Sequence, residues 1–350
     1  MSENISKLSG RKGLKDNLFN RLSDMSKGNQ LNAKSDWDQV AADYNLGIST
    51  LQGAATFYDF LSPSHLEKKA FVCNGSACLC AGTQNEVRQK LEERFTENHY
   101  AEKDIDDNLI GDICCLGRCY EAGAFQIDGC NYSGSAIFDL NDIVTFSKSD
   151  KSSGDNYHVG VLASMRILTD DAYQNVEESA ASLKRVIDGQ QKEVLEEIKL
   201  SGLRGRGGAG FPTGIKWESC RDVESDQKYV VCNADEGDPG AYSDRYLLEA
   251  QPHRVILGMI VCGYLTGAHE GVIYIRGEYP EAIKSIDNVI TIFRENNLLG
   301  QSILGSNFEF DLHVIEGAGA YICGEETALI ASIEGRRAEV DVRPPFPTEQ

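Results

Sequence analysis

Apolar positions recur with a helical period near the start of the chain and gather into short strand-like runs further along. Between 36 and 61, Trp37, Val40, Ala41 and Tyr44 share one face of a helix that Asp36 can cap, and LQGAATFYDFL makes a second short helix after Gly47. The pair is expected to pack as a small helical cap. AFVC at 70–73 reads as a strand, TQNEVRQKLEERF as a helix, and AFQI at 124–127 as a strand that turns at Asp128-Gly129. FSKSDKSSGDNYH at 145–157 breaks every apolar pattern and predicts a linker. A helical stretch from about 171 to 200 then runs into a glycine cluster. YVVC, GVIYIRG and FEFDLHVI follow as strands, separated by helical segments such as PEAIKSIDNVITIFREN. This alternation predicts a layered α/β domain. The chain thus divides into a helical segment at 1–65, a cysteine-bearing α/β domain at 66–144, the linker at 145–157 and a second α/β domain at 158–350.

Composition narrows the function. At about 150 residues per domain, 350 residues make about two domains. With 54 acidic against 34 basic residues, the net charge of -20 argues against nucleic acid or an anionic membrane surface as the main partner. No run approaches about 18 apolar residues, and MSENISKLSGRKG lacks the apolar core of a secretory signal. The expectation is a cytoplasmic chain without membrane insertion. Eleven cysteines in a reducing compartment then point to metal or redox use wherever they cluster.

They do cluster: seven lie between Cys73 and Cys130. Four residues separate Cys73 from Cys78, three separate Cys115 from Cys119, and 36 lie between the pairs. Four thiolates on two loops suit a small iron-sulfur cluster. Zinc is the rival, although zinc hairpins more often place two residues between paired cysteines. Gly75, Gly82 and Gly117 would let backbone amides approach cluster sulfurs. Cys80 and Cys114 are expected to be small buried apolar residues rather than ligands.

Three further elements mark the second domain. In GLRGRGGAGFPTGIKW, Gly205, Gly207 and Gly210 match GxGxxG, but KEVLEEIKL leads in as a helix, where a Rossmann fingerprint needs a strand. What survives is bare backbone open to a flat ring or pyrophosphate, with Arg204, Arg206 and Lys216 as positive charge. Asn233, Asp235, Glu236 and Asp238 form an acidic turn at the end of YVVC, suited to sugar hydroxyls and ring NH groups. It could also suit a hard cation, although the spacing is not that of an EF-hand. In EGAGAYICGEETALIASIEGRR a strand ends at Ile315 and a helix begins near Glu325, with Gly317, Gly319 and Gly324 making room and Tyr321 available to stack.

CNGSACLCAGT with CCLGRCYEAGA resembles the thioredoxin-like [2Fe-2S] ferredoxin domain of complex I and of hydrogenase diaphorases. The resemblance implies Cys73, Cys78, Cys115 and Cys119 as ligands, with Gly123 standing where that family often has proline, and residues 36–61 as a shortened helical portion. Residues 170–347 resemble the NADH- and FMN-binding flavoprotein subunit of complex I, NAD-reducing hydrogenases and NAD-dependent formate dehydrogenases. That resemblance implies FMN held by Gly205, Arg206, Gly207, Lys216, Asn233, Asp235, Glu236, Tyr321, Gly324 and Glu325. It implies NADH contacts from Gly208, Ala209, Phe211, Asp238, Glu326 and Phe346, with Glu326 near the nicotinamide.

The implied whole is a thioredoxin-like ferredoxin domain with N-terminal helices ahead of a layered α/β FMN/NADH-binding domain. The fusion is closest to the hydrogenase or formate dehydrogenase arrangement. The implied activity is a diaphorase that moves a hydride between NAD(H) and FMN and passes electrons to iron-sulfur centres in other subunits of a redox complex. No side chain need be a catalyst, since the cofactors carry the chemistry. The family continues past the PPFP segment into a β-grasp domain and a helical bundle with a [4Fe-4S] cluster. The chain stops at Gln350 without a CxxCxxC run and is expected to be a C-terminally incomplete fragment. A zinc-stabilised scaffold without flavin and an ordinary Rossmann dehydrogenase are the rivals.

Overall fold

The computed structural model describes residues 18–27, 34–62, 65, 68–97, 109–139 and 175–348. The expected linker at 145–157 and the first residues of the second domain lie outside the described residues. So do MSENISKLSGRKG and the start of the 171–200 helical stretch.

The first domain is a four-stranded sheet ordered β2-β1-β3-β4, built from β1 (Ala70–Cys73), β2 (Ile110–Ile113), β3 (Phe125–Ile127) and β4 (Cys130–Tyr132). β1 pairs in parallel with β2, and β3 runs antiparallel to β1 and β4. The β3-β4 hairpin turns at Asp128 and Gly129, both with positive φ, as the Asp-Gly pair predicts. Val87, Leu91 and Phe95 of a helix at Gln84–Glu97 cover this sheet in one apolar core. β2 escapes the sequence reading because Asp112 interrupts its four residues; that side chain points outward and pairs with Arg88.

In the second domain three parallel strands, β5 (Tyr229–Ala234), β6 (Glu270–Arg276) and β7 (Asp311–Gly317), lie in that order. Alternate residues of β6 face opposite layers, as a strand's two-residue period requires. Ile273 and Ile275 pack with Ile256, Ile260, Ile286 and Phe293 from helices at Pro252–Thr266 and Pro280–Glu295. Val272 and Tyr274 pack in a second core with Leu329 and Ile333 of a helix at Glu326–Ile333.

That second core also contains the N-terminal segment. Leu18, Leu22 and Met25 of a helix at Leu18–Lys27, Trp37, Val40 and Tyr44 of one at Lys34–Asp43, and Leu51 of one at Ile48–Ala55 are all buried there. The helical cap therefore completes the flavin-side domain and does not close the ferredoxin-side sheet. Backbone amides of Asp59 and Phe60 donate to Gly319 and Ala318 carbonyls at 3.0 Å, and Tyr58 Oη donates to the Arg336 carbonyl at 2.9 Å. Asp36 sits inside the first turn of its helix and not at the cap. The expected long helix before the glycine cluster is two helices, Val176–Asp188 and Gln191–Leu200, broken at Gly189. Asn175 caps the first by accepting from the Glu178 amide at 2.8 Å.

Candidate functional site

Four cysteines meet at one end of the first sheet. Cys73 ends β1, Cys78 lies in the short helix Ser76–Ala81, and Cys115 and Cys119 sit on the loop after β2. Cys73, Cys78 and Cys115 are buried and Cys119 is half-buried. They form two pairs: Cys115 and Cys119 sulfurs are 3.3 Å apart, and Cys73 donates a hydrogen bond to Cys78. Those bonds lower the pKa of Cys78 and of Cys115, while sharing the proton holds Cys73 and Cys119 high. Each pair thus offers one ready thiolate.

Backbone amides converge on the same sulfurs. Gly75 and Leu116 serve Cys73, Gly123 and Ala124 serve Cys78, Gly117 serves Cys115, and Gly240 from the second domain serves Cys119. Gly75 and Gly117 thus do what the sequence suggests. Gly82 does not: in the left-handed region at φ 67, it ends a helix and donates to the Leu79 carbonyl. The Gly123 departure gains a reason, because proline at that position has no N–H to give Cys78. The expectation of buried Cys80 and Cys114 is overturned, since both are exposed. In the extended stretch 111–115 burial alternates, placing Ile113 and Cys115 inside and Asp112 and Cys114 outside. Among the described residues no three Cys, His, Asp or Glu side chains converge on one point. Two thiol pairs fit a binuclear cluster with two thiolates per iron better than one tetrahedral ion.

The second constellation joins sequence elements about a hundred residues apart. Asn233 Nδ2 donates to the Gly324 carbonyl at 2.8 Å, Tyr321 Oη donates to Asp238 Oδ1 at 2.7 Å, and Lys216 Nζ lies 4.0 Å from Glu326 Oε2. The three elements therefore border one site. The glycine cluster folds as a small hairpin: Gly205 N–H donates to the Phe211 carbonyl at 2.9 Å, and Arg204 Nη1 to the Gly210 carbonyl at 2.8 Å. Arg206, Gly207, Gly208 and Ala209 form its exposed tip, and Phe211 is 52% exposed. A Cβ at Gly207 or Gly208 would meet nothing within 4 Å. The hairpin leaves its own backbone free for a ligand. A helix, and not a strand, precedes it, which removes the Rossmann rival.

Two expected flavin residues also have local work. Glu236 caps the helix Ser243–Ala250, accepting from Ser243 Oγ at 3.0 Å and from the Asp244 and Arg245 amides at 3.1 and 3.2 Å. Glu325 caps Glu326–Ile333, with Thr327 and Ala328 amides on Oε2 at 2.8 and 3.0 Å. Glu326 pairs with Arg343, and Phe346 is about half exposed on the chain that follows. Asp235 differs. Its Oδ2 is buried without a hydrogen-bond partner, and burial first, then Glu278 against a smaller pull from Arg276, pushes its carboxyl up to about 7. A buried acceptor left open beside bare glycine backbone fits a ring that brings its own NH groups. A cavity of about 560 Å³ between Phe57, Asp59, Cys114, Tyr321 and Glu339 shares only Tyr321 with the expected flavin residues and is not their common seat.

Sequence reasoning missed what lies between the two constellations. Arg276, at the end of β6, donates to the Glu236 carbonyl at 2.5 Å, the Cys115 carbonyl at 3.1 Å and Glu278 Oε1 at 2.8 Å. Arg245 Nη1 donates to the Gly117 carbonyl at 2.5 Å, and Arg118 Nη2 to Glu281 Oε1 at 2.8 Å. Tyr279 packs against Gly117. The available signal was RGEYP, which puts opposite charges two apart immediately after an apolar strand.

Family models match both halves: the thioredoxin-like [2Fe-2S] ferredoxin over residues 4–146 and the Nuo51 FMN-binding domain over 198–349. The chain joins a thioredoxin-like [2Fe-2S] ferredoxin domain to a Nuo51 FMN-binding domain. It is 37% identical over 329 residues to the NAD-reducing hydrogenase HoxS subunit alpha of Cupriavidus necator, covering 89% of this chain and 54% of that protein. It is 54% identical over 167 residues to the NADP-reducing hydrogenase subunit HndC of Solidesulfovibrio fructosivorans, covering 48% of this chain and 34% of that protein. With an NADH-quinone oxidoreductase subunit of Escherichia coli the identity is 44% over 178 residues, 51% of this chain and 40% of that one. The crystal structure of an NAD+-reducing [NiFe]-hydrogenase in the H2-reduced state superposes with a TM-score of 0.74 at 25% identity, covering 93% of this chain and 56% of that one. The chain therefore spans about half the length, or less, of these proteins. Among the described residues of its two domains no helix is long and apolar enough to cross a membrane.

Proposed function

We propose that this chain is the diaphorase module of a larger NAD-linked redox complex, taking electrons between NAD(H) and an iron-sulfur chain through FMN. The observation that carries the proposal is the meeting of two sites: Arg276 hydrogen-bonds the acidic flavin-side loop and the carbonyl of Cys115 at once. FMN, when bound, exchanges a hydride with nicotinamide and single electrons with metal centres.

The residues of this chain supply the seat. The hairpin containing Gly205, Arg206 and Gly207 offers bare backbone, and Lys216 positive charge. Asn233 and Asp235 offer polar partners, and Tyr321, Gly324 and Glu325 form the facing wall. Gly208, Ala209, Phe211, Glu326 and Phe346 are proposed to contact the dinucleotide. Asp238, held by Tyr321 at 2.7 Å, accepts from ribose hydroxyls and repels a 2'-phosphate, which favours NAD over NADP. Cys73, Cys78, Cys115 and Cys119 are proposed to hold the [2Fe-2S] cluster, with six amides polarising its sulfurs. The boundaries at 66–144 and 158–350, cytoplasmic placement and association with other redox subunits belong to the same proposal.

Anaerobic titration of the FMN-loaded protein with NADH should bleach the flavin absorbance, and metal analysis should find iron with acid-labile sulfide. Loaded protein that does not bleach refutes the diaphorase reading. One zinc per chain, with no iron, refutes the cluster reading in favour of a scaffold.

A further inference from the structure

The clamp between the domains does more than glue. Arg276 is 5% exposed, and its planar fork reaches two carbonyls on different domains, one from Glu236 and one from Cys115. Lysine cannot span such a pair, because its ammonium is a point charge without fixed donor directions. Two other ties fasten the same loops: Arg245 Nη1 to the Gly117 carbonyl at 2.5 Å and the Gly240 amide to Cys119. Among the described residues, only Arg276 holds a carbonyl of a proposed ligand residue with a formal charge.

We propose that Arg276 is a positioning residue for electron transfer: its fork fixes the Cys115–Cys119 loop against the Asn233–Arg245 loop, and its charge makes the iron pair easier to reduce. The inference rests on the cluster reading above. Glu278 lies 2.8 Å from the same guanidinium and opposes the charge, but it stands one residue further from the sulfurs. Cys115 accordingly feels the attraction of Arg276 more than the repulsion of Glu278. A positive group held in a dry interface acts at full strength on a neighbouring cluster, because no water reorients to screen it. The hydrogen bond to the Cys115 carbonyl also withdraws density from the peptide of a ligand residue.

Two variants of the full chain test this. Arg276→Lys keeps the charge and loses the fork. Arg276→Gln with Glu278→Gln removes the charge without leaving Glu278 as a buried unpaired carboxylate. EPR-monitored redox titration reads the cluster potential, and hydrogen exchange reads protection of amides 115–119. In the double variant the cluster should become at least tenfold harder to reduce, about 59 mV for one electron, and the amides should exchange at least tenfold faster. Arg276→Lys should exchange faster while keeping a potential near that of the unaltered protein. NADH should still bleach the flavin in both. An unchanged potential in the double variant overturns the proposal whatever the exchange shows, since a purely structural tie would alter exchange alone. Unchanged protection in Arg276→Lys overturns it equally, and this variant decides the matter if the double variant does not fold. Lack of a [2Fe-2S] signal in the unaltered protein would instead refute the cluster reading, and this inference with it.

Discussion

Asp235 should make the flavin-free protein less stable as the pH rises. Its side chain is 7% exposed, Oδ2 has no hydrogen-bond partner, and Oδ1 is 3.9 Å from Arg276 Nε. Burial dominates and lifts the carboxyl from 3.8 to about 7. Between those values the folded protein keeps a proton that the unfolded chain has lost. Stability contributed by the protonated form is therefore complete in acid and lost as pH climbs through the window. At 1.36 kcal/mol per unit, a rise from 3.8 to about 7 costs about 4 kcal/mol at neutral pH. Asp235→Asn cannot ionise and escapes that cost. Urea unfolding of both proteins without flavin, at steps between about pH 4 and pH 8, isolates the effect because other titrating groups cancel in the difference. The variant's advantage should grow by about 4 kcal/mol from acid to neutral pH and then level off. An advantage constant to within about 1 kcal/mol would refute the assignment of a high pKa to this carboxyl. Saturating FMN should flatten the same difference, since a ring NH that reaches Oδ2 stabilises the carboxylate.

Other outcomes follow from particular contacts. Serine at Cys73, Cys78, Cys115 or Cys119 should abolish stoichiometric iron and sulfide, whereas serine at the exposed Cys80 or Cys114 should leave both unchanged by metal analysis. Gly207→Val has open space around it, so thermal unfolding should shift by no more than about 0.5 kcal/mol while fluorescence titration shows at least a tenfold weaker FMN affinity. Gly117→Ala places a Cβ 2.3 Å from Tyr279 Cε1 at a φ of 73, and denaturant unfolding should show a loss of about 2 to 4 kcal/mol.

The parts of the fold that sequence showed well are those where one period persists. β6, with Val272, Ile273, Tyr274 and Ile275 all buried, and the helix Pro280–Glu295 were legible because their length averages out exceptions. β2 and β4, with four and three residues, offer too few positions for a period to emerge. The ligand cysteines were legible from spacing, and the three flavin-side elements from glycines at strand and helix ends. Cys80 and Cys114 were misread because composition favours buried cysteine, whereas face is decided by the alternation around Ile113 and Cys115. Arg276 was invisible because its partners are backbone carbonyls, which every residue has. No spacing rule distinguishes the carbonyl of Cys115 from any other.

The burial of Leu22, Tyr44 and Leu51 against Ile315 and Leu329 has a consequence for synthesis. The ribosome makes these helices first, but the surface they need emerges more than two hundred residues later. Through that interval an apolar stripe on the nascent chain has no native home, and the ferredoxin fold is completed between the two halves of an unfinished core. Translation speed and chaperone occupancy should therefore govern the yield of the C-terminal domain more than that of the iron-sulfur domain.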